Sequence, residues 1–205
     1  MYNIVALEVP MNVFSFVLFI HVLSAIAMFI GLALEGVILF RLMSAGTLTE
    51  LQFFVRAARR LGIVYAPAFV GIILGGIYLA SQLGSHAAWI PLALGATFLL
   101  LLVGGVVTGR AMSRLKKAVS QEAASLESIS AQARSKSLVL SYGFRAGLAV
   151  GIVFLMSAMP SLIPSITALV VASLIGVLLA IRVRGVSERI QNDCGWRGTS
   201  GRAAV

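Results

Sequence analysis

Five long apolar runs constrain the fold of this chain more than any other feature of its sequence. They extend from Val13 to Phe40, Leu61 to Ala80, Trp89 to Gly109, Leu138 to Met159 and Ile163 to Ile181. A helix that crosses the hydrocarbon core of a bilayer needs about 20 predominantly apolar residues. Each run meets that length, so the sequence predicts an all-α membrane protein with five transmembrane helices.

The composition leaves little chain for anything outside the membrane. Hydrophobic residues make up 60% of the 205 residues, charged residues only 11%, and the mean hydropathy is +1.02. Five spans with short connections use nearly the whole length, so we expect no separate catalytic domain. We predict one transmembrane bundle over residues 1–185. The polar residues 186–205, rich in Gly, Ser and Arg, are predicted to form a disordered tail.

The distribution of basic residues predicts the orientation of the bundle. Lysine and arginine follow the first, third and fifth runs, whereas the N-terminal segment, the loop at 81–87 and the turn near Pro160 contain none. Cytoplasmic loops carry the excess of positive charge. We therefore predict an antiparallel bundle in a bacterial inner membrane, with the N-terminus outside and the C-terminus in the cytoplasm. The net charge of +9 is then explained by orientation and by anionic lipid headgroups, without nucleic acid.

The fourth run is the least regular, because Arg145 interrupts it and Gly143 could begin a shorter helix. We keep it as a span, since an even number of spans would place a basic segment on the wrong side. The polar connection from Ala118 to Ser137 fits two interpretations. It either extends the third and fourth helices as a hairpin or forms a solvated charged loop.

Small residues recur at four-residue spacing in three of the runs. Such faces let helix backbones approach closely in lipid. They predict close packing within the chain, and the same faces could join copies of it in a homo-oligomer. The pairs are Gly71 with Gly75, Gly105 with Gly109, and Gly147 with Gly151.

Two ionisable residues, His21 and Glu35, stand in the first run on one helical stripe. They are separated by about 21 Å along the helix axis, at 1.5 Å per residue. They therefore cannot touch each other, and each must find its partners at its own depth.

Glu35 has two sets of candidate partners. Arg145 enters the fourth span from the same side of the membrane and to a similar depth, and an unpaired charge there costs about 2.5–3.5 kcal/mol on insertion scales. One arrangement is thus a structural Glu35–Arg145 ion pair. In the other, Arg145 reaches the headgroups, and Glu35 either pairs with Arg41 or Arg60 or is protonated.

His21 lies in the predicted outer half of the membrane and is the candidate cofactor-binding residue. A neutral imidazole can bind haem iron axially or coordinate a metal such as copper. Tyr78, Met156 and Met159 are its candidate neighbours, and thioethers suit Cu(I). The alternative is a helix-packing hydrogen bond without any ligand. His86 falls in the outer loop, where we expect it to be solvent-exposed.

Other catalytic patterns are missing from the sequence. It contains no phosphate-binding loop, no dinucleotide fingerprint and no Ser/His/Asp set, and its one cysteine, Cys194, lies in the polar tail. The sequence therefore does not decide whether the chain is an enzyme, and any such chemistry would have to come from a cofactor.

Three segments carry a resemblance to a known group of proteins. LFIHVLSAIAMFIGLALEGVILFRL resembles the first helix of CopD-type copper-resistance and HemJ-type membrane proteins, in which a His-Val or His-Ile precedes small residues. RRLGIVYAPAFVGIILGGIYLA and RAGLAVGIVFLMSAMPSL are similar to uncharacterised bacterial integral membrane proteins allied to them. The resemblance implies haem binding by His21, although a second intramembrane histidine is missing here.

Two classes of function follow. The chain is either a cofactor or metal protein, with haem b or copper at His21, or a structural or transport-accessory membrane protein without a cofactor. In the second class the polar intramembrane residues only pack helices.

Overall fold

The chain forms a bundle of long helices. The computed structural model describes residues 11–45, 47–83, 88–120 and 135–200, and no strand occurs in these ranges. The elements are α1 (Met11–Ser44), α2 (Leu48–Leu83), α3 (Trp89–Val103), a π-helix (Gly104–Thr108), α4 (Gly109–Ser120), α5 (Lys136–Ala158) and α6 (Leu162–Ser200).

Five helical segments of the described chain are long and apolar enough to cross a membrane, which confirms the predicted class and number. They are Val13–Ser44, Leu48–Gln82, Trp89–Leu115, Lys136–Ala158 and Leu162–Val186. The third consists of α3, the π-helix and the beginning of α4. The fourth is unbroken from Lys136, so Arg145 lies well inside a continuous helix rather than in the first turn of a shorter one that begins at Gly143.

The second helix begins at Leu48, well before the predicted start at Leu61, and passes through Pro67 without ending. The backbone N–H of Glu50 donates to Thr47 Oγ1 at 3.3 Å, which caps the first turn. Apolar residues pack the basic end of the bundle, where α1, α2 and α4 meet; they are Leu42, Ala45, Leu51, Val55 and Leu115. The helices continue past the apolar runs because this end has a core of its own.

α5 is the most buried of the five segments and lies at the centre of the bundle. Its Leu148, Ala149 and Ile152 pack in one core cluster with residues of α1, α2 and α3. On its other side α5 contacts α6 along most of its length. The central position of α5 explains how Arg145 can be buried between several helices.

Glycines allow α5 and α6 to approach closely. A β-carbon at Gly147 would lie 2.8 Å from the Cα of Ser173, and one at Gly143 would lie 2.6 Å from the carbonyl oxygen of Gly176. Gly151 similarly faces Leu169. The Gly147 and Gly151 face predicted from the sequence is thus used inside the chain.

The other two small-residue faces differ from each other. Gly71 and Gly75 lie against Ser24 and His21 of α1. A β-carbon at Gly105 or Gly109 would meet nothing within 4 Å in the described structure, so that face is not closed by another helix.

The C-terminal segment differs from the sequence prediction. α6 continues as a helix through Ser200, where we expected disorder from residue 186 onward. An existing helix adds residues without a new nucleation cost, which favours its extension beyond the apolar run. Residues 201–205 lie outside the described ranges, as does the part of the predicted cytoplasmic hairpin at 121–134.

Candidate functional site

Glu35 of α1 and Arg145 of α5 form a buried ion pair. Arg145 Nη1 donates to Glu35 Oε2 at 3.1 Å, and Arg145 Nη2 donates to Glu35 Oε1. The two side chains belong to residues that are 7% and 3% exposed. Of the two arrangements considered for Glu35, the structure therefore contains the bidentate pair with Arg145, which does not extend to the surface.

Hydrogen bonds from two more helices surround the pair. The Tyr65 hydroxyl of α2 donates to Glu35 Oε2 at 2.6 Å, and Arg145 Nη2 also donates to Thr108 Oγ1 at 3.1 Å. Thr108 Oγ1 lies 3.3 Å from Ser141 Oγ of α5. The polar cluster thus connects α1, α2, α5 and the π-helix, and we call these five residues the ion-pair cluster.

Local backbone features make room for the ion-pair cluster. A β-carbon at Gly104 would lie 3.1 Å from Arg145 Nη1, so the absence of a side chain there lets the guanidinium approach the π-helix. Beside the cluster, Gly36 accommodates the hydroxyl end of Tyr142. A π-turn widens a helix locally and is frequent at functional sites. Here it ends at Thr108, which contacts Arg145.

A cavity of about 470 Å³ adjoins the ion-pair cluster between α2 and the α3–α4 segment. Its volume is within the range of about 300–1,000 Å³ found for small-molecule sites. Its walls are mainly apolar, with Phe69, Leu100, Leu101 and Met112 among the lining residues, and Glu35, Tyr65, Thr108 and Arg145 also line it.

Small residues border the cavity where it reaches the surface. Gly62, Ala66 and Gly105 line it and are exposed, and Leu101 beside them is 37% exposed. These positions lie within segments long enough to cross a bilayer. The cavity can therefore be reached from the side of the bundle, between α2 and the π-helix.

His21 has a different environment at the other end of α1. The imidazole packs against α2, where a β-carbon at Gly75 would lie 3.3 Å from Nδ1 and one at Gly76 would lie 3.3 Å from Cε1. Nδ1 is buried and has no hydrogen-bond partner in the described ranges. His21 does not line the cavity beside the ion-pair cluster.

The candidate neighbours of His21 are spread over two helices and the connection between α5 and α6. Tyr78 of α2 is half-buried, and Met156 of α5 packs beside Trp89 and Leu155. Met159 follows α5 in a left-handed conformation, with φ 45°, and is 58% exposed. The buried Nδ1 of His21 makes no hydrogen bond to Tyr78 within the described residues. His86 lies outside the described residues.

The described chain offers few metal-binding groups. No three His, Cys, Asp or Glu side chains come together in the ranges whose side chains are described. His21 therefore fits haem or copper only as a single nitrogen ligand, and these ranges supply no multi-residue set of those types around it.

Sequence reasoning found Glu35, Arg145 and His21 but missed Tyr65 and Thr108. A tyrosine or threonine in an apolar run is common enough that only its depth relative to a buried charge would single it out. Comparison with protein-family models, with curated proteins and with solved structures gave no match for this chain. The resemblance to the CopD-type and HemJ-type group accordingly stays a prediction.

Proposed function

We propose that this protein binds a small amphiphilic molecule that enters its cavity from the bilayer. The observation that carries the proposal is a mainly apolar cavity of about 470 Å³ that includes, at one wall, a buried carboxylate with hydrogen bonds to both oxygens. Ligand sites combine apolar walls with a few fixed polar groups in this way. Ionisable residues inside a membrane are functional candidates by default.

The ion-pair cluster supports this proposal because its polar atoms can orient a bound molecule without placing an unpaired charge beside it. Glu35 and Arg145 neutralise each other, and Tyr65 and Thr108 hold their oxygen and nitrogen atoms in place. An apolar molecule can then lie beside the pair without separating it. The lateral border of small residues gives such a molecule a route from the acyl chains.

The proposed setting is a bacterial inner membrane with five antiparallel spans, the N-terminus outside and the C-terminus in the cytoplasm. Two observations support it. Contacts between α1 and α2 run in opposite directions along the two helices, since Tyr65 faces Gly31 whereas Gly75 faces His21. The basic residues Arg41, Arg59 and Arg110 lie at one end, where anionic headgroups would meet them.

The test fills the cavity without disturbing its neighbours. Gly105 lines the cavity and has open space where a side chain would start, so Gly105→Leu should occupy the binding volume. Gly95 on α3 has the same open space but does not line the cavity, and Gly95→Leu is the matched control. Native mass spectrometry of the full chain released from detergent would count bound 1-oleoylglycerol, oleate and oleylamine.

We expect at least one of the three probes to bind the unmodified protein and the Gly95→Leu variant, and to be lost from Gly105→Leu. Absence of all three adducts from the unmodified protein would overturn the proposal. Equal binding to both variants would also overturn it, because it would place the probe elsewhere on the apolar surface.

A second candidate function is a haem b or copper protein with His21 as a ligand. The observation that favours it is the buried Nδ1 without a hydrogen-bond partner in the described chain. An absorption spectrum and a metal analysis of protein expressed with supplied haem and copper test it. A His21-dependent signal that disappears in His21→Ala would support this function, and colourless, metal-free protein would contradict it.

A further inference from the structure

The charges around the cavity do not balance. Its lining includes one carboxylate, from Glu35, and two guanidinium groups, from Arg59 and Arg145. Glu35 is paired with Arg145. Across the ranges whose side chains are described, no carboxylate pairs with Arg59, so the lining keeps one positive charge.

The unpaired charge of Arg59 lies toward one end of an elongated cavity. Lining residues of α2 extend from Val55 to Phe69, about 21 Å along the axis at 1.5 Å per residue. Arg59 is near the first end of this stretch, and Tyr65 of the ion-pair cluster follows about 9 Å further along. Phe69 lies beyond it.

The wall of the cavity formed by α3 and α4 also differs between its two ends. Ser113 and Met112 of α4 line the cavity at the end nearer the basic residues, while Leu100 and Leu101 of α3 line it at the other end. The cavity therefore has a cationic end, where Arg59 and Ser113 lie among apolar residues, and an entirely apolar end, with the neutralised ion pair between them.

We propose that the ligand is an amphiphile with one anionic head, a carboxylate or a phosphate, which Arg59 binds while the apolar chain extends past Tyr65 toward Phe69 and Leu101. This inference rests on the proposed binding function and adds the charge of the ligand. A guanidinium binds both oxyanions through paired N–H donors. A cationic head would instead be repelled at Arg59, and a neutral head would leave it unmatched.

The experiment compares probes that share one chain and differ in the head. Oleate, oleyl phosphate, 1-oleoylglycerol and oleylamine are titrated against the full chain in a non-ionic detergent at pH 8, and apparent Kd values are obtained by native mass spectrometry. Arg59→Gln removes the charge at the cavity. Arg60→Gln is the matched control, because Arg60 is an exposed neighbour that does not line the cavity.

We expect both anionic probes to bind more tightly than 1-oleoylglycerol, and oleylamine to bind most weakly. Arg59→Gln should weaken anion binding about two- to fivefold, the scale of an exposed charge pair. Arg60→Gln should leave it unchanged. The ratio of oleate to oleyl phosphate binding distinguishes a carboxylate source from a phosphate source.

Binding of all four probes with one affinity, abolished by Gly105→Leu, would overturn the charge assignment and leave the cavity function standing. An anion preference that Arg59→Gln and Arg60→Gln reduce equally would also overturn the assignment, because it would reflect the general basic surface. Failure of every probe to bind would instead remove the proposed function itself.

Discussion

Two ionisable side chains lie toward opposite ends of α1, and their surroundings differ sharply. Glu35 accepts hydrogen bonds from Arg145 of α5 and from Tyr65 of α2. His21 packs against the backbone of Gly75 and Gly76, and its buried Nδ1 has no partner in the described chain. Both oxygens of the Glu35 carboxylate accept hydrogen bonds, and of the Arg145 guanidinium only Nε is buried without a partner in the described chain. The His21 imidazole has no counter-ion there, and its Nδ1 is unpaired.

The difference follows from charge. Burying an ionised group without a partner costs far more than burying a neutral polar group. Glu35 therefore requires a counter-ion from another helix, and the bundle supplies one from its central helix. A neutral imidazole can be buried with one unsatisfied nitrogen at a cost of about 1–3 kcal/mol. The ion-paired site should therefore dominate stability, while Nδ1 of His21 keeps the capacity to bind a ligand.

The largest expected effect comes from removing one member of the ion pair. Arg145→Met leaves Glu35 buried without a counter-ion, which should lower the free energy of unfolding by about 3–5 kcal/mol. Replacing both members by Glu35→Met and Arg145→Met removes both charges and should recover most of that loss. SDS-induced unfolding followed by circular dichroism gives the comparison. A double variant as unstable as the single one would contradict the role of the pair.

Tyr65→Phe tests the hydrogen bond that joins α2 to the same carboxylate. Bonds to charged groups contribute about 1.5–3 kcal/mol in water-soluble proteins, whereas those measured between membrane helices average about 0.6 kcal/mol. We expect a loss of about 1–2 kcal/mol in the same unfolding assay. Tyr78→Phe on α2 is the control, and an equal loss there would show that the Glu35 contact is not special.

The pairing partners of Glu35 show where sequence reasoning succeeds and where it stops. Glu35 and Arg145 each lie nine residues from the helix end on the basic side, at Ser44 and Lys136, so depth alone pointed to their contact. The same reasoning left Arg41 and Arg60 open. Choosing Arg145 over these two required knowing that α5 is the central helix. Hydropathy does not predict which helix is central, because all five segments are apolar.

The cavity could not be predicted for a related reason. The Gly105 and Gly109 spacing looked like the packing faces at Gly71 and Gly147, yet no helix of the described chain covers it. Small-residue spacing indicates that a backbone could approach, and tertiary arrangement decides whether one does. The π-helix adds a local widening that no sequence period predicts, and it places Thr108 at Arg145.

Thr108→Val tests the contribution of that π-helix. The change keeps the shape of the side chain but removes the oxygen that accepts from Arg145 Nη2 and lies 3.3 Å from Ser141 Oγ. Because the guanidinium retains both bonds to Glu35, we expect a loss of only about 0.5 kcal/mol, near the average for polar contacts between membrane helices. Thr97→Val is a suitable control, since Thr97 is buried and, among the described residues, its hydroxyl donates to Ala93 O of its own helix. A much larger loss at Thr108 would mean that the π-helix depends on this contact.

The smallest effect is expected at His21. His21→Leu replaces an imidazole whose Nδ1 has no partner in the described ranges, so the gain from removing a buried polar atom offsets the altered packing against Gly75 and Gly76. We expect the free energy of unfolding to change by about 0.5 kcal/mol or less, the scale of a substitution that breaks no named interaction. Glu35→Leu, measured in parallel, should cost several times as much because it leaves Arg145 buried without a counter-ion.

If the two substitutions lower the free energy of unfolding equally, the contrast between the two ends of α1 is wrong. If His21→Leu destabilises only protein prepared with haem or copper, the loss measures a ligand bound to the unused nitrogen, since binding to the folded state alone adds stability in proportion to occupancy.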